Sequence, residues 1–581
     1  MSPSTKIRIL EECSDKNHEA LVQHIKTHPI IKITGDNLDI HVRSSRQGLD
    51  RQHKDMHMFA SNVLSTRISS PDIDNQCPQN NKLDPCKIVL HGFHADILML
   101  SYKILLSRIV CKDEVAYKWM DKVTPKHIPN PYQTEMAQQT KIFQLPLQMK
   151  NEAKYEDCVE IMNSYEQSLS NDIILNVCKL SGTTAHLDEF KVITGGDQLT
   201  RVRLEGAKDL KRLSTTPVGR LEHIHPLVCE LWHLKQDLLE KLFKRFYNKA
   251  SSAQPCTLSF FKIILKKSDV SLKVKSNFRA HFDFLTMIVK EMIREQFLEV
   301  IDGTHIDIPD NISKIRLEAK KQKRDEIIQE IISSYGYDFT TLNSCNDTES
   351  DELFNYCCQL CQWGLHIIAL NDTAQEGDIM RVIPNLMRCI PLFFSHSKLS
   401  KYMVECIDII MKCENASPLE RTRILEGFFV NKRGGQGNNV EADLVQEHAV
   451  RNQKDLIRAL GANKSEKAML RATGAANLVT SIVDSFDDTF STNKKSGHHG
   501  EKEGEKDIKA IRQCLRSIRP FKKMYGRQCP PFRFKEPTLR VDNSQLMQTI
   551  KVITDRLHVG MIDTSTTEGE EIGENEGLPE I

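Results

Sequence analysis

Two short apolar segments of this chain end in the same dipeptide, Gly-Asp. The first, IIKITGD, ends at Asp36, and the second, KVITGGD, ends at Asp197. Isoleucine, valine and threonine favour strands, and a glycine before the acid permits a sharp change of chain direction. Each aspartate is therefore expected at the carboxyl end of a strand. If the two strands are parallel neighbours, both carboxylates face one crevice at the edge of the sheet.

A carboxylate pair of this kind points to divalent metal. Two carboxylates a few ångströms apart repel each other unless a cation lies between them. Magnesium prefers oxygen ligands and suits such a pair, and manganese can replace it. Two ions about 4 Å apart could activate a water or a 3′-hydroxyl and stabilise the leaving oxygen of a phosphodiester. The alternative is that Gly-Asp is ordinary turn chemistry; only the pairing of the two motifs argues against it.

Strands and helices must both be present to position these acids. Residues 29–44 alternate with a period of two, which predicts a hairpin with a tight turn at Gly-Asp-Asn, and residues 190–197 form a further predicted strand. The polar stretch 60–85 predicts an exposed loop, and the apolar stretch 87–110 predicts a buried element. Helical spacing continues through almost all of 251–425. The sequence therefore predicts an α/β fold with a mixed (α+β) sheet, interrupted by a large all-helical insertion.

The predicted organisation has six parts. They are the N-terminal part of the α/β core (1–250), the helical insertion (251–425), the C-terminal part of the core (426–490), a flexible linker (491–510), a small C-terminal segment (511–560) and a disordered acidic tail (561–581). Gly, Lys and Glu runs indicate the linker, and an acidic composition without aromatic residues indicates the tail.

Composition excludes several classes of protein. The formal net charge of the 581 residues is +1, which argues against a generic polycation that holds nucleic acid by bulk electrostatics. The N-terminus has no secretory signal pattern, and no stretch reaches the roughly 20 apolar residues that span a bilayer. We therefore expect a protein of the nucleus or cytoplasm, neither secreted nor in a membrane, with no small-molecule cofactor.

The cysteines are expected to be reduced. There are 17 of them, and without an export signal most read as small core residues. Cys358 and Cys361, beside Cys357 and followed by His366, have a zinc-like CxxC spacing. Because no second CxxC or HxxxH follows at finger distance, a place in the core is the favoured interpretation and zinc the lesser one.

Longer segments resemble a known family. They are GDNLDIHV (35–42), GGDQLTRVR (195–203), HPLVCELWHLKQDLLEKLFKRFY (225–247) and GGQGNNVEADLVQEHAVRNQKDLIRALGANKSEKAMLRAT (434–473). Together they resemble the family called domain of unknown function 6589, over about residues 30–490. This family looks transposon-derived, and the resemblance implies a ribonuclease-H-like core interrupted by a helical insertion, as in transposases. It also implies DNA as the partner and a homo-oligomeric state.

The resemblance assigns candidate metal ligands. Asp36 resembles the first catalytic aspartate and Asp197 the second, with Asp39 as the substitute if the strand register differs by one pair. The third acid has two candidates. Glu230 follows Asp197 at nearly the spacing of simple DDE enzymes, whereas Glu447 begins a helix after the insertion and is preferred.

Several other residues could support such a site, and each of them also has a simple structural explanation. His233 in Cys-Glu-Leu-Trp-His resembles, imperfectly, the Cys/Asp–two residues–His signature of eukaryotic transposases, which leaves Glu230 in the expected cysteine or aspartate position. Basic residues that follow the two acids on helices are candidate phosphate contacts or simply solvated faces: Arg201, Arg203, Lys208, Lys454 and Arg458.

Three functions compete at this stage. The first is a transposase-derived DDE/D-type nuclease that uses Mg²⁺ or Mn²⁺ for DNA cleavage or strand transfer, active or with its activity lost. The second is a domesticated, non-catalytic scaffold that binds protein or nucleic acid. The third is a helical adaptor with an incidental sheet, which fewer than four strands would favour. The chain begins only about 30 residues before the first predicted catalytic strand, which is too short for a usual DNA-targeting module. We therefore expect that the chain is a fragment, that DNA targeting resides in a partner, or that targeting has been lost.

Overall fold

A mixed sheet carries the two Gly-Asp motifs. In the computed structural model its strands are β1 (Ile31–Val42), β2 (Lys54–Ser65), β3 (Ile142–Gln144), β4 (Val192–Gly196) and β5 (Ile224–Cys229), in the spatial order β3-β2-β1-β4-β5. β1 is antiparallel to β2 and parallel to β4, and β4 is parallel to β5. The predicted strands at 29–44 and 190–197 are thus neighbours in one sheet. Five strands argue against the helical adaptor.

The structure describes most of the chain. The described residues are 3–44, 46–50, 52–69, 72–78, 84–111, 117–168, 191–303, 312, 315–338, 350–398, 400–461, 464–490, 504–532 and 541–562. The acidic tail from residue 563 and the first part of the predicted linker, 491–503, lie outside them.

The predicted hairpin at residues 29–44 is wrong. β1 is one strand of 12 residues, paired with β2 in unbroken register from Ile31–Ser65 to Val42–Lys54. Gly35 lies where the turn was predicted, but a Cβ there would lie 2.5 Å from the ring of Phe59 on β2. The glycine therefore permits close packing between strands and makes no turn. The predicted exposed loop at 60–85 is also wrong at its start, because residues 60–65 complete β2 and are buried.

Helices cover both faces of the sheet. The first seven are α1 (Pro3–Thr27), α2 (Gly92–Val110), α3 (Lys118–Asp121), α4 (Gln133–Met136), α5 (Tyr155–Ser168), α6 (Gln198–Leu210) and α7 (Leu231–Phe246). α1, α5 and α6 bury Leu21, Ile161 and Leu204 against Ile33 of β1 and Ile224 of β5. The opposite face of β1 carries Lys32, Thr34 and Asp36, because side chains alternate along a strand.

The apolar segment before residue 110 forms a core helix. By length and composition alone, one segment among the described residues, Pro85–Val110, could cross a bilayer. α2 nevertheless buries Leu98, Tyr102, Leu106 and Ile109 in the same cluster as the helices of the insertion. Its apolar character is thus accounted for by packing within this chain.

The helical spacing over 251–425 is confirmed, because this part of the chain forms a run of helices. They are α8 (Leu258–Ile264), α9 (Phe278–Gly303), α10 (Leu317–Tyr335), α11 (Glu352–Glu376), α12 (Val382–His396), α13 (Lys401–Asn415) and α14 (Pro418–Glu426), with short 3-10 turns at Lys249–Ala253, Val274–Asn277 and Ile379–Arg381. Their apolar cluster continues to Ile193 of β4 and Val228 of β5. The insertion therefore shares one hydrophobic core with the sheet.

The cysteines of α11 lie in this core. Cys357, Cys358 and Cys361 are fully buried. His366 is also buried, with Nδ1 3.0 Å from the hydroxyl of Tyr102 and Nε2 3.2 Å from the sulfur of Cys389. These contacts fit the favoured interpretation of the CxxC spacing as core packing.

After the insertion the chain returns to the sheet. β6 (Phe429–Asn431) and β7 (Asn439–Glu441) form a small hairpin, and the remaining helices are α15 (Ala442–Ala459), α16 (Glu466–Gly474), α17 (Ala476–Thr489), α18 (Glu505–Ile518) and α19 (Asn543–Ile562). Gly434, Gly435 and Gly437 in the hairpin turn have positive φ angles, which side chains rarely allow. α15 then lies on the Asp36 face of β1 and β2, where Val450 packs beside Leu38.

The C-terminal segment differs from the prediction. α18 begins at Glu505, so the end of the predicted linker (491–510) is helical. Ile511 and Leu515 of α18 and Ile550 of α19 are buried in the core of the insertion. Amphipathic spacing in α18 explains this, because its apolar side faces α9 instead of solvent.

Candidate functional site

Asp36 and Asp197 lie at matching positions on neighbouring parallel strands. Thr34 of β1 pairs with Gly195 of β4. Asp36 lies two residues further along β1, and Asp197 lies two residues after Gly195, directly beyond the end of β4 at Gly196. Parallel neighbours are about 4.8 Å apart. Asp197 also begins α6, where its Oδ1 accepts a hydrogen bond of 2.7 Å from the backbone N–H of Thr200. The two acids are therefore neighbours, as predicted, but the prediction that Asp36 ends its strand is wrong, because β1 continues past it to Val42 in unbroken pairing with β2.

Asp36 lies in a crowded acidic environment. Its carboxylate is half-buried and accepts a hydrogen bond of 2.7 Å from the backbone N–H of Asn37. Burial raises its pKa well above the ordinary value, and the nearby carboxylates of Glu447 and Asp197 raise it further, while His233 opposes them. Asp36, Asp197 and Glu447, from β1, the end of β4 and α15, therefore interact at one place, which we call the acidic edge.

His233 links two carboxylates of α15. Its Nδ1 lies 3.0 Å from Oδ2 of Asp443, and its Nε2 lies 3.3 Å from Oε1 of Glu447. Burial alone would lower the pKa of His233, but the hydrogen bonds to both acids outweigh it and raise the pKa to about 10. The hydrogen bond from His233 in turn lowers the pKa of Glu447. The ring is therefore a charged imidazolium at neutral pH.

Asp443 positions this histidine. Its two carboxylate oxygens accept hydrogen bonds of 3.0 Å from the backbone N–H groups of Trp232 and His233. These groups are at the start of α7, where backbone donors have no partner within the helix. Asp443 therefore caps α7 from a distant part of the chain, a role that nothing in the spacing of the sequence indicated.

Glu230 is held in a buried ion pair. It pairs with Lys32, with 2.5 Å between Nζ and Oε1, and both side chains are buried. A Cβ on Gly195 would lie 1.8 Å from the same Oε1, so the carboxylate folds back across β4. Burial raises the pKa of Glu230 to about 7, although Lys32 lowers it. Glu230 is thus engaged beneath the site, whereas Glu447 lies beside Asp36.

Glu152 is an acid that sequence reasoning missed. It is buried, with Oε2 2.7 Å from the hydroxyl of Thr200 and Oε1 2.8 Å from the guanidinium of Arg203. Burial raises its pKa, and Asp197 adds to that effect. Glu152 comes from the irregular stretch before α5, which carries no motif, so only the folded chain shows its place beside Asp197.

Two basic residues of α6, both predicted as candidate phosphate contacts, make contacts within the protein. Arg201 is buried, and its Nε lies 2.6 Å from Oε2 of Glu405 on α13. Lys208 donates to the backbone oxygen of Ile224 at 2.8 Å, and burial lowers its pKa to about 8. The predicted contacts of Arg201 and Lys208 with nucleic acid do not fit these positions, because both charges are used inside the protein.

The remaining candidates keep some access to solvent. Arg203 is partly exposed beside Glu152, and Lys454 of α15 is half-buried close enough to Glu447 to lower its pKa. Arg458 is exposed and pairs with Asp455 at 2.9 Å. Asp39 is exposed on the opposite side of β1 from Asp36, with Oδ1 2.8 Å from His57.

The acidic edge has the electrostatic character of a cation site. Burial, and then the neighbouring carboxylates of Glu447 and Asp197, raise the pKa of Asp36, and a hard divalent cation would relieve the repulsion among these acids. As the side chains stand, no group of three His, Cys, Asp or Glu within the described ranges is arranged to hold an ion. The donor set of Asp36, Asp197 and Glu447 suits magnesium or manganese in chemical type.

A comparison with protein families identifies the chain's relatives. The model of a family described as "Family of unknown function (DUF6589)" matches residues 95–499, which is more than half of the chain. The chain belongs to this family. The matched range, residues 95–499, includes Asp197, Glu230, His233 and Glu447. Asp36 on β1 precedes this range. No curated protein and no solved structure matches this chain.

Proposed function

We propose that the chain is a transposase-derived protein whose ribonuclease-H-like core holds a metal-dependent site for cleavage or strand transfer of DNA phosphodiesters. The observation that supports this best is the meeting of Asp36, Asp197 and Glu447 from β1, the end of β4 and α15. Clustered carboxylates from two neighbouring strands and a helix that returns to the sheet are the type of ligand that two-metal phosphodiester chemistry uses.

Each residue has a defined part in this proposal. Asp36, Asp197 and Glu447 would hold Mg²⁺ or Mn²⁺, which would activate a water or 3′-hydroxyl and stabilise the leaving oxygen. His233, fixed by Asp443, holds Glu447 in place and supplies a positive charge next to the site. Arg203 and Lys454, both partly exposed, are the candidate contacts for DNA phosphates.

The test is metal-dependent nicking of supercoiled DNA by the full chain, with Mg²⁺ and Mn²⁺ added separately. We expect D36N, D197A and E447Q each to lose activity by about 100-fold or more, the scale on which removal of a single electrostatic group acts. D39N is the matched control, because Asp39 is exposed on the other side of the same strand and should keep full activity.

E230Q separates the two candidates for the third acid. If Glu447 completes the site, a folded E230Q variant keeps its nicking activity while E447Q loses it. Equal activity of D197A and the unaltered protein at saturating Mg²⁺ would refute the assignment of the site, even if the protein nicks DNA.

A second function has one specific observation in its favour. The imidazolium of His233 already balances Asp443 and Glu447 without any metal. In a non-catalytic scaffold that binds protein or nucleic acid, this pairing would be permanent. The scaffold function predicts no nicking and no rise in melting temperature with millimolar Mg²⁺. The nuclease function predicts such a rise, because a metal that binds only the folded state stabilises it.

A further inference from the structure

Two cysteines from distant parts of the chain meet at the edge of the insertion. Cys256 lies in the turn before α8, and Cys514 lies on α18. Their sulfur atoms are 3.9 Å apart across 258 positions of sequence. Cys256 is fully buried, while Cys514 is partly exposed. Because a disulfide bond is about 2.05 Å long, the sulfurs need to approach by roughly 2 Å.

We propose that Cys256 and Cys514 are a peroxide-sensitive pair that forms a disulfide and so fastens α18 to the helical insertion. This inference does not depend on the proposed nuclease function, because neither cysteine belongs to the acidic site.

The two thiols have different roles. The sulfur contact lowers the pKa of Cys514 and raises that of Cys256, and burial of Cys256 raises its pKa further. Cys514 is also the one that solvent reaches, so it is the nucleophile and Cys256 is the resolving thiol. Cys86 provides a contrast: it is exposed, but its contact with Asp84 raises its pKa.

The reaction balances with hydrogen peroxide as the oxidant. The Cys514 thiolate attacks one peroxide oxygen, the O–O bond breaks, and the departing hydroxide takes up a proton to become water. The sulfur of Cys256 then attacks the sulfenic acid on Cys514; the S–S bond forms, the S–O bond breaks, and the Cys256 proton leaves with the hydroxide as a second water. Two thiols are oxidised by two electrons, and one peroxide is reduced.

Neighbouring contacts keep the sulfurs together. Arg512 of α18 and Arg519, which caps the end of this helix, pair with Glu291 and Glu299 of α9, each at 2.6 Å. Leu515, next to Cys514, is buried in the core of the insertion. α18 therefore has a fixed position, and the approach of the two sulfurs requires side-chain movement more than movement of the helix.

The test uses the full, reduced chain in thiol-free buffer, treated with hydrogen peroxide, blocked with N-ethylmaleimide and digested without reductant. We expect a peptide pair that joins Cys256 to Cys514, a loss of two titratable thiols, and reversal by dithiothreitol. The melting temperature should rise by about 3 °C or more on oxidation, because the bond closes a long loop in the unfolded chain.

C514S should abolish the cross-link and leave Cys256 reduced, while C86S is the matched control and should form it as the unaltered protein does. Cys514 is partly exposed, so its serine variant is expected to fold. The proposal is overturned if Cys256 is fully alkylated after denaturation of the oxidised protein, or if Cys514 accumulates as sulfinic acid without the cross-link.

Discussion

At the scale of single residues, the acidic edge shows what spacing can and cannot predict. The two Gly-Asp motifs predicted that Asp36 and Asp197 are neighbours, and they are, although Asp36 lies within β1 and not at its end. The inward direction of Arg201 could not be predicted, because a helical pattern does not say which buried acid from another element meets a given charge. Glu152 was missed for the same reason, since its neighbour Thr200 is distant in sequence.

The first prediction concerns Asp36. Its raised pKa means that the folded state holds a proton which the unfolded chain releases above about pH 4, so stability falls as the pH rises from there through the folded pKa. In metal-free buffer we expect D36N to melt about 1–3 °C above the unaltered protein at pH 8, with the gap closing towards pH 4. Calorimetry from pH 4 to 8 measures this.

D39N is again the control and should show no such gap, since Asp39 is exposed. A D36N variant that melts below the unaltered protein at pH 8 would mean that the carboxylate of Asp36 is stabilising there, in conflict with its acidic surroundings.

The second prediction concerns His233. A histidine whose folded pKa is about 10 contributes stability that is complete below the unfolded value of about 6.5 and is lost as the pH rises through 10. We expect H233Q to lose about 1.5–3 kcal/mol of unfolding free energy at pH 6, the usual range for hydrogen bonds to charged groups. The loss should shrink between pH 7 and 10 in urea titrations.

H57Q provides the comparison, because His57 makes a similar contact with Asp39 on an exposed part of β1 and β2. A loss in H233Q that grows with pH, or one matched by H57Q, would contradict the charged bridge between Asp443 and Glu447.

At the scale of elements, β1 explains why the hairpin prediction failed. Period-two alternation and a Gly-Asp-Asn sequence are typical of a hairpin, yet β1 runs straight through them because Gly35 makes room for Phe59. The pattern of one segment does not include the ring that a neighbouring strand presents. The run of helices in the insertion was predictable, in contrast, because helical spacing is a local property.

A third prediction tests how β1, β4 and β5 are joined beneath the acidic edge. Removing Lys32 leaves Glu230 buried without a counter-ion, so K32M should cost about 3–5 kcal/mol at pH 8. The cost should be smaller at pH 5.5, because Glu230, whose pKa is already about 7, then accepts a proton. Chemical unfolding at the two pH values measures the difference.

The double variant K32M/E230Q is the matched control and should recover most of the loss, since it removes both charges. A K32M variant as stable as the unaltered protein at pH 8 would show that the pair contributes little.

At the scale of the whole molecule, one hydrophobic core joins parts that the sequence separates. Ile193 of the sheet, the helices of the insertion and Ile550 of α19 belong to a single cluster. Arg201 and Glu405 add an ionic link between α6 and α13. Composition and residue spacing divided the chain into six predicted parts, but they do not show whether the apolar faces of successive segments meet each other.

A fourth prediction follows from this continuity. We expect the described part of the chain to unfold in one cooperative thermal transition, with calorimetric and van't Hoff enthalpies that agree. Differential scanning calorimetry at several scan rates checks this. Two resolved transitions, or a protease-resistant fragment limited to 251–425, would show that the insertion folds as a separate domain.

The cap that Asp443 places on α7 also has a consequence for the order of synthesis. Asp36 and Asp197 leave the ribosome long before Glu447. The backbone N–H groups at the start of α7 gain their partner, Asp443, only when α15, the helix that also carries Glu447, has been made. A chain interrupted anywhere within the insertion therefore contains Asp36 and Asp197 but neither the third acid nor the group that orients His233. Incomplete translation products of this kind therefore lack the complete group of acids, because α15, which follows the insertion, carries both Asp443 and Glu447.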